Sequence, residues 1–258
     1  HRDLHSFPTR RSSDLGIFYS TDDCVTIKRF YYFGQNPNHT DTGGTSGKNG
    51  ILLGNPKNPV ICRHVHEVSY NKYNNKIYIT CGDAHASPEL HLFETSYNKQ
   101  TDTWAPLVDL ISDEARCQRH RIIGIGFDKN NYMYFGSDGA PQIIKQKGLT
   151  YDSQGVYKVH IKDINDMSKY QLLYKTKDIV VNSYMNDDYM LFSSFENLNL
   201  LHVSLDKGRT WKAIDVSEFL TKWYPYNNTP TTNNIQLIKE DSQHNIFLKT
   251  PVGAYVNF

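Results

Sequence analysis

Four pairs of short apolar runs recur along this chain at a nearly constant spacing. Residues 65–70 are followed by a polar turn and 77–82, residues 122–127 by 132–136, residues 179–184 by 189–193, and residues 235–239 by 246–249. Each pair reads as a β-hairpin closed by an Asn-, Asp- or Lys-rich turn. The second runs start at Ile77, Tyr132, Tyr189 and Ile246, which are 55, 57 and 57 residues apart. Two further runs follow three of the hairpins: 91–95 with 104–108, 155–161 with 170–174, and 200–203 with 212–216. A fixed period with four short strands per unit predicts an all-β fold, a β-propeller of four-stranded antiparallel blades. About four such blades fit between residues 16 and 258. No long amphipathic helix is predicted; residues 216–223 have room for one or two helical turns.

Residues 1–15 stand outside this pattern. Their sequence, HRDLHSFPTRRSSDL, resembles an in-frame translation of a common sequencing-adapter oligonucleotide. They are expected to be artefactual and are set aside, leaving one domain over 16–258. His1-Arg2-Asp3-Leu4 mimics a kinase catalytic loop, but Pro8 stands where that motif needs Asn. The segment carries three basic and two acidic side chains, so the net charge of +1 becomes zero without it. A neutral chain with 13% aromatic residues has the makings of a core and no electrostatic case for nucleic acid or an anionic membrane. Cys24, Cys62, Cys81 and Cys117 are widely spaced, with no C-x-x-C pair, and read as buried free thiols. Residues 35–58, rich in Gly, Asn and Pro, lack the phosphate-loop pattern and read as a surface excursion.

One octapeptide explains how a blade turns. Ser204-Leu205-Asp206-Lys207-Gly208-Arg209-Thr210-Trp211 reads S-x-D-x-G-x-T-W between two strands. Asp206 is placed to cap backbone N–H groups in the turn. Gly208 can take a left-handed conformation. Thr210 and Trp211 start the next strand, with the indole covering the turn. Residues 20–27 repeat the pattern with Cys24 for Gly and Ile27 for Trp, and residues 96–104 form a stretched version ending in Trp104. The pattern resembles the Asp-box of BNR repeats in sialidase-like β-propellers, where the box is a structural turn away from the active site. That resemblance implies six blades, so one or two N-terminal blades are expected to be missing. It also implies a carbohydrate-directed protein.

The propeller expectation sorts candidate site residues. The start of each first strand and the end of each second strand lie on one face, with Asp-box turns on the other. Arg63, His64, His66, Asp83 and His85 fall on that face in one blade, and Arg119, His120, Arg121 and Asp138 in the next. Asn182, Tyr184 and Glu196 follow, then Asn233 and Asn234. His, Arg and Asp at equivalent positions suit an acidic or polyhydroxyl ligand, because Arg forks bind carboxylates at two points. Catalytic candidates are His64, His66, Asp83 and Asp138. Substrate-binding candidates are Arg63, Arg119, Arg121 and Tyr184.

Each has an alternative. His64 and His66, two apart on a strand and about 7 Å from each other, could act as a base, hold a metal, or bond backbone carbonyls. Spacing offers no third ligand, so no metal is assigned and no cofactor is implied. Arg119 and Arg121 could instead bridge to Glu114 or Asp138. Asp83 and Asp138 could cap turns, and Tyr184 could be a core aromatic. The F-R-I-P signature of sialidases is absent from this sequence. Arg63-His64-x-His66 is closer in residue type to propeller polysaccharide lyases, which use His, Tyr and Arg on uronates. A glycoside hydrolase or lyase acting on an anionic glycan is therefore one expectation. A non-catalytic propeller binding glycan or protein as a monomer is the other.

Overall fold

The computed structural model describes residues 15–37, 54–82, 89–139, 154–217, 237–240, 243, 245–249 and 255–257. The chain divides into two compact units, residues 1–121 and 122–258, which are taken separately. In the first, β1 (Gly16–Tyr19) pairs with β2 (Lys28–Tyr32). A four-stranded antiparallel blade follows: β3 (Val65–Asn71), β4 (Lys76–Cys81) and β5 (His91–Thr95), then β8 (Val108–Asp109) on its outer side. A small ribbon, β6 (Tyr97–Asn98) with β7 (Thr103–Trp104), interrupts the blade before β8.

The second unit repeats the design. Strands β9 (Ile122–Phe127), β10 (Tyr132–Ser137), β11 (Gly155–His160) and β12 (Gln171–Lys175) form one antiparallel blade. The next is β13 (Val180–Met185), β14 (Met190–Ser194), β15 (Asn197–Ser204) and β16 (Lys212–Asp215). Three strands of another are described: β17 (Leu237–Glu240), β18 (Ile246–Lys249) and β19 (Tyr255–Asn257). The fold is the expected all-β propeller type, with about four blades and all four hairpins in place. Burial follows strand position. Every residue of β14 is buried, and every residue of the outer strand β16 is exposed. Within this unit the inner strands β9 and β13 are neighbours, as are β13 and β17.

The inner strands share an irregularity that periodicity does not reveal. Register slips by one residue between Val65 and Glu67 in β3, and between Val180 and Asn182 in β13. The extra residues of these two bulges are His66 and Val181. The first strand of the remaining full blade bulges slightly later, opposite Phe135. A bulge bends its strand and re-aims the side chains beside it.

The two eight-residue turns share the hydrogen bonds made by their Ser, Asp and Thr side chains. Gly208 N–H donates to Ser204 Oγ at 2.8 Å, and Cys24 N–H to Ser20 Oγ at 2.9 Å. Thr210 donates through N–H and Oγ–H to the two carboxylate oxygens of Asp206, at 2.8 and 2.6 Å. Thr26 does the same to Asp22 at 2.9 and 2.6 Å. Two consecutive residues have positive φ in each turn, Asp23 and Cys24 in one, Lys207 and Gly208 in the other. Gly208 suits this geometry, while Cys24 holds it at some steric cost. The Trp211 indole N–H donates to Gly208 O at 3.1 Å, and the half-buried ring meets Phe192 edge-on at 5.0 Å. Thr210 first, then the backbone and Ser204, hold the Asp206 carboxyl at about 2. That contribution to stability is fully present above the ordinary value of 3.8 and is lost as pH falls toward 2. An Asp206→Ala variant is expected to melt earlier at pH 7, with the gap from the parent closing as the pH is lowered through this window. A gap independent of pH would assign the effect to packing instead.

Three expectations need correction. Residues 96–104 are not an Asp-box. Asn98 Oδ1 accepts from Gln100 N–H at 3.0 Å and closes a separate hairpin, while Asp102 accepts from the hydroxyls of Tyr19 and Tyr97 and from Lys28. Trp104 is structural as expected, stacked on Phe30 at 4.1 Å, but the strand of this blade resumes only at Val108. Leu15 is part of the folded unit: it is buried, and its carbonyl accepts from Phe33 N–H at 2.7 Å. Residues 1–14 lie outside the described residues. All four cysteines are free thiols, but Cys24 is exposed at the tip of its turn. Most of the excursion at 35–58 and of the expected helical turns at 216–223 also lies outside the described residues.

Candidate functional site

The entry to β3 carries two of the candidates, His64 and His66. His64 precedes the strand, and its carbonyl accepts from Gly82 N–H at 3.1 Å and Cys62 Sγ–H at 3.0 Å. Gly82, with φ of 98°, lies where a Cβ would fall 1.7 Å from Glu89 O. This close approach fixes the end of β4 against the start of β5. The His66 bulge brings the two imidazoles together, with 3.0 Å between their Nε2 atoms and 4.8 Å between ring centroids. His64 is exposed and His66 half-buried. The pair is therefore placed to meet a ligand, with nitrogens nearer than regular strand geometry gives.

Arg63 points elsewhere. Its Nε lies 3.9 Å from Oε2 of Glu89, a carboxylate whose side chain is 1% exposed. Asn36, itself fully buried, donates to Oε1 of the same carboxylate at 2.6 Å. The Nε edge of Arg63 thus lies beside an internal charge. Arg119 lies on a short 3-10 turn, Gln118–His120, and Arg121 directly precedes β9. His120 is fully buried and its Nδ1 accepts from Cys117 N–H at 3.3 Å, so it anchors this turn and does not face a ligand. Burying His120 fixes the segment from which the two half-buried arginines project.

Behind the blade lies a network that sequence reasoning missed. His91 Nδ1 is 2.7 Å from Asp109 Oδ2, and its Nε2 is 3.1 Å from Ile61 O. Arg116 donates to Asp109 Oδ2 at 3.1 Å, Ile111 O at 3.1 Å and Asp113 Oδ1 at 3.0 Å, and also to Leu90 O. Burial opposes ionisation of Asp109, but the His91 hydrogen bond and the charges of His91 and Arg116 outweigh it and hold the carboxyl below its ordinary value. The three side chains His91, Asp109 and Arg116 lie 7 to 25 positions apart along the chain without a shared motif, so no local signal marks them.

In the second unit, Asp138 follows β10, and Tyr184 lies one residue from the turn of the β13–β14 hairpin. The Tyr184 hydroxyl donates to Glu240 of the next blade, and Asn186 Nδ2 donates to the same oxygen at 2.9 Å. Tyr189 is pushed up to about 12 by burial and by the Glu240 charge. Tyr184 therefore sits at the hairpin end of its strand and joins two blades, which corrects its placement at the strand-entry face. Glu196 is likewise engaged: it accepts from Lys177 N–H at 3.0 Å and pairs with Lys177 Nζ at 3.2 Å. Asp83, His85, Asn233 and Asn234 lie outside the described residues. Among the described residues, no three His, Cys, Asp or Glu side chains form a metal-binding group.

No family model and no curated protein matches this chain. Solved structures resemble it distantly. The computationally designed Ika4 protein aligns over 75% of this chain and 89% of its own, at 7% identity and a TM-score of 0.40. A nidogen/laminin complex aligns over 92% and 83%, at 9% identity and 0.45. The extracellular domain of a putative one component system from B. thetaiotaomicron aligns over 100% and 33%, at 9% identity and 0.46. Likeness at this level assigns no family.

Proposed function

We propose that this chain is a carbohydrate-directed propeller of the sialidase-like Asp-box kind, acting on or binding an anionic glycan at the strand-entry end of the β3 blade. The kinship rests on the two Asp-box turns, which share the hydrogen bonds of their Ser, Asp and Thr side chains. The site reading rests on one observation, the close imidazole pair of His64 and His66 on an open surface. Neutral imidazoles there can accept a proton next to a bound sugar, which is the requirement for abstraction beside a uronate carboxylate. Arg119 and Arg121, in the same unit, supply the guanidinium chemistry that a sugar carboxylate needs.

The rival reading, a non-catalytic glycan-binding propeller, is favoured by the commitments of Arg63 and Tyr184 to protein partners. Calorimetry with oligouronates and sialylated oligosaccharides, run beside an assay for chain cleavage, separates the two. Binding that Arg119→Ala or Arg121→Ala weakens roughly tenfold or more, the scale of one lost charge-assisted hydrogen bond, is the expected result. Cleavage abolished by His64→Ala supports the lyase or hydrolase form. Binding without cleavage supports the rival, and no binding of any anionic glycan overturns both.

A further inference from the structure

Independently of the glycan reading, which needs one of these nitrogens as a base, we propose that His64 and His66 form a two-imidazole chelate for a divalent transition-metal ion, Cu(II) foremost. The two Nε2 atoms are 3.0 Å apart and the ring centroids 4.8 Å apart. Two imidazoles joined by a straight Nε2–H···Nε2 hydrogen bond of that length would place their centroids about 5.3 Å apart. Two imidazoles aimed at one ion, with metal–nitrogen bonds of about 2.0–2.1 Å, would place them about 4.7 Å apart. The observed separation fits rings whose lone pairs converge on a common point.

The same distances discriminate among metals. With those bond lengths, a 3.0 Å bite subtends about 95° at the ion. Tetrahedral zinc would spread the nitrogens to about 3.3–3.4 Å. A near-right angle is the cis angle of tetragonal Cu(II) or Ni(II), and nitrogen sites favour Cu(II) among the divalent first-row ions. The β3 bulge supplies this bite. An unbulged strand holds residues i and i+2 about 7 Å apart with parallel side chains, whereas the extra residue here is His66 itself. The His64 carbonyl, accepting from Gly82 N–H and Cys62 Sγ–H, fixes the backbone of His64.

The test is a Cu(II) titration of chelator-treated protein at neutral pH, read by calorimetry and by electron paramagnetic resonance. The expected result is a site showing coupling to two nitrogens. His64→Ala and His66→Ala should each weaken it at least tenfold, while the control His160→Ala should leave it unchanged. His1 and His5 can also take Cu(II), so the readout is the difference between parent and variants. Zn(II) should bind at least tenfold more weakly than Cu(II). Titrations of the two variants that match the parent would overturn the chelate and leave a hydrogen-bonded pair, and tighter Zn(II) binding would overturn the right-angle geometry. Should His66→Ala fail to fold, His64→Ala, whose ring is exposed, carries the test alone.

Discussion

Replacing Gly82 by alanine is expected to destabilise the first unit by about 3 kcal/mol or more, among the larger effects of a single substitution. The added Cβ would stand 1.7 Å from Glu89 O and 2.2 Å from Glu89 C. Both are backbone atoms, so no rotamer change relieves the clash. The φ of 98° also lies outside the range that L side chains tolerate, at roughly 1–3 kcal/mol. Relief requires β4 and the start of β5 to separate, and the bond from Gly82 N–H to His64 O goes with them. In thermal unfolding the midpoint should fall by roughly 6–12 °C for a chain of this size. The His64–His66 site should loosen in the same variant. An unchanged midpoint would mean that the two segments do not approach as described.

The second large effect is expected at Asp109. Its Oδ2 is the acceptor shared by His91 and Arg116, whose side chains are 7% and 5% exposed. Asp109→Ala removes the one carboxylate between them and leaves buried Arg116 with only the exposed Asp113 as an ionic partner. Breaking a buried pair in this way costs about 3–5 kcal/mol. Asp109→Asn keeps an acceptor oxygen and should recover part of the loss. The pH dependence has a definite sign. Burial resists ionisation of Asp109, but His91 and Arg116 hold its folded carboxyl below the ordinary 3.8. Its stabilising effect is therefore present above 3.8 and lost as pH falls below it. Denaturant titrations of parent and Asp109→Ala at pH 7 and at progressively lower pH should show a large gap that narrows on acidification. A gap that stays constant would show that the carboxylate charge is not the stabilising element.

What the sequence by itself determined was everything written in short range. The hairpins at 77, 132, 189 and 246 follow from alternation and turn chemistry, and their spacing imposes blades of four strands. The turn at Ser204 to Trp211 was legible in outline, with Asp206 as the cap and Gly208 as the left-handed residue, because Ser204, Asp206, Gly208 and Thr210 satisfy one another within eight residues. The degraded copy at Ser20 to Thr26 held for the same reason, as its oxygen acceptors survive even though Gly and Trp do not. The stretched copy at 96–104 did not hold: Asn98 stands at the Asp position, one residue further from Thr103 than the box allows, and it caps Gln100 N–H while a β-ribbon takes over. Only the tertiary structure decided which polar groups share a site. The buried Glu89 carboxylate took Asn36, and Tyr184 turned to Glu240, because a polar group drawn away from water takes the nearest partner, and packing alone sets which partner that is. The bulge at His66 was equally out of reach. A period-two pattern records which face a residue takes, but a bulge is settled by the register of the neighbouring strand, and here that register brings the two imidazoles together.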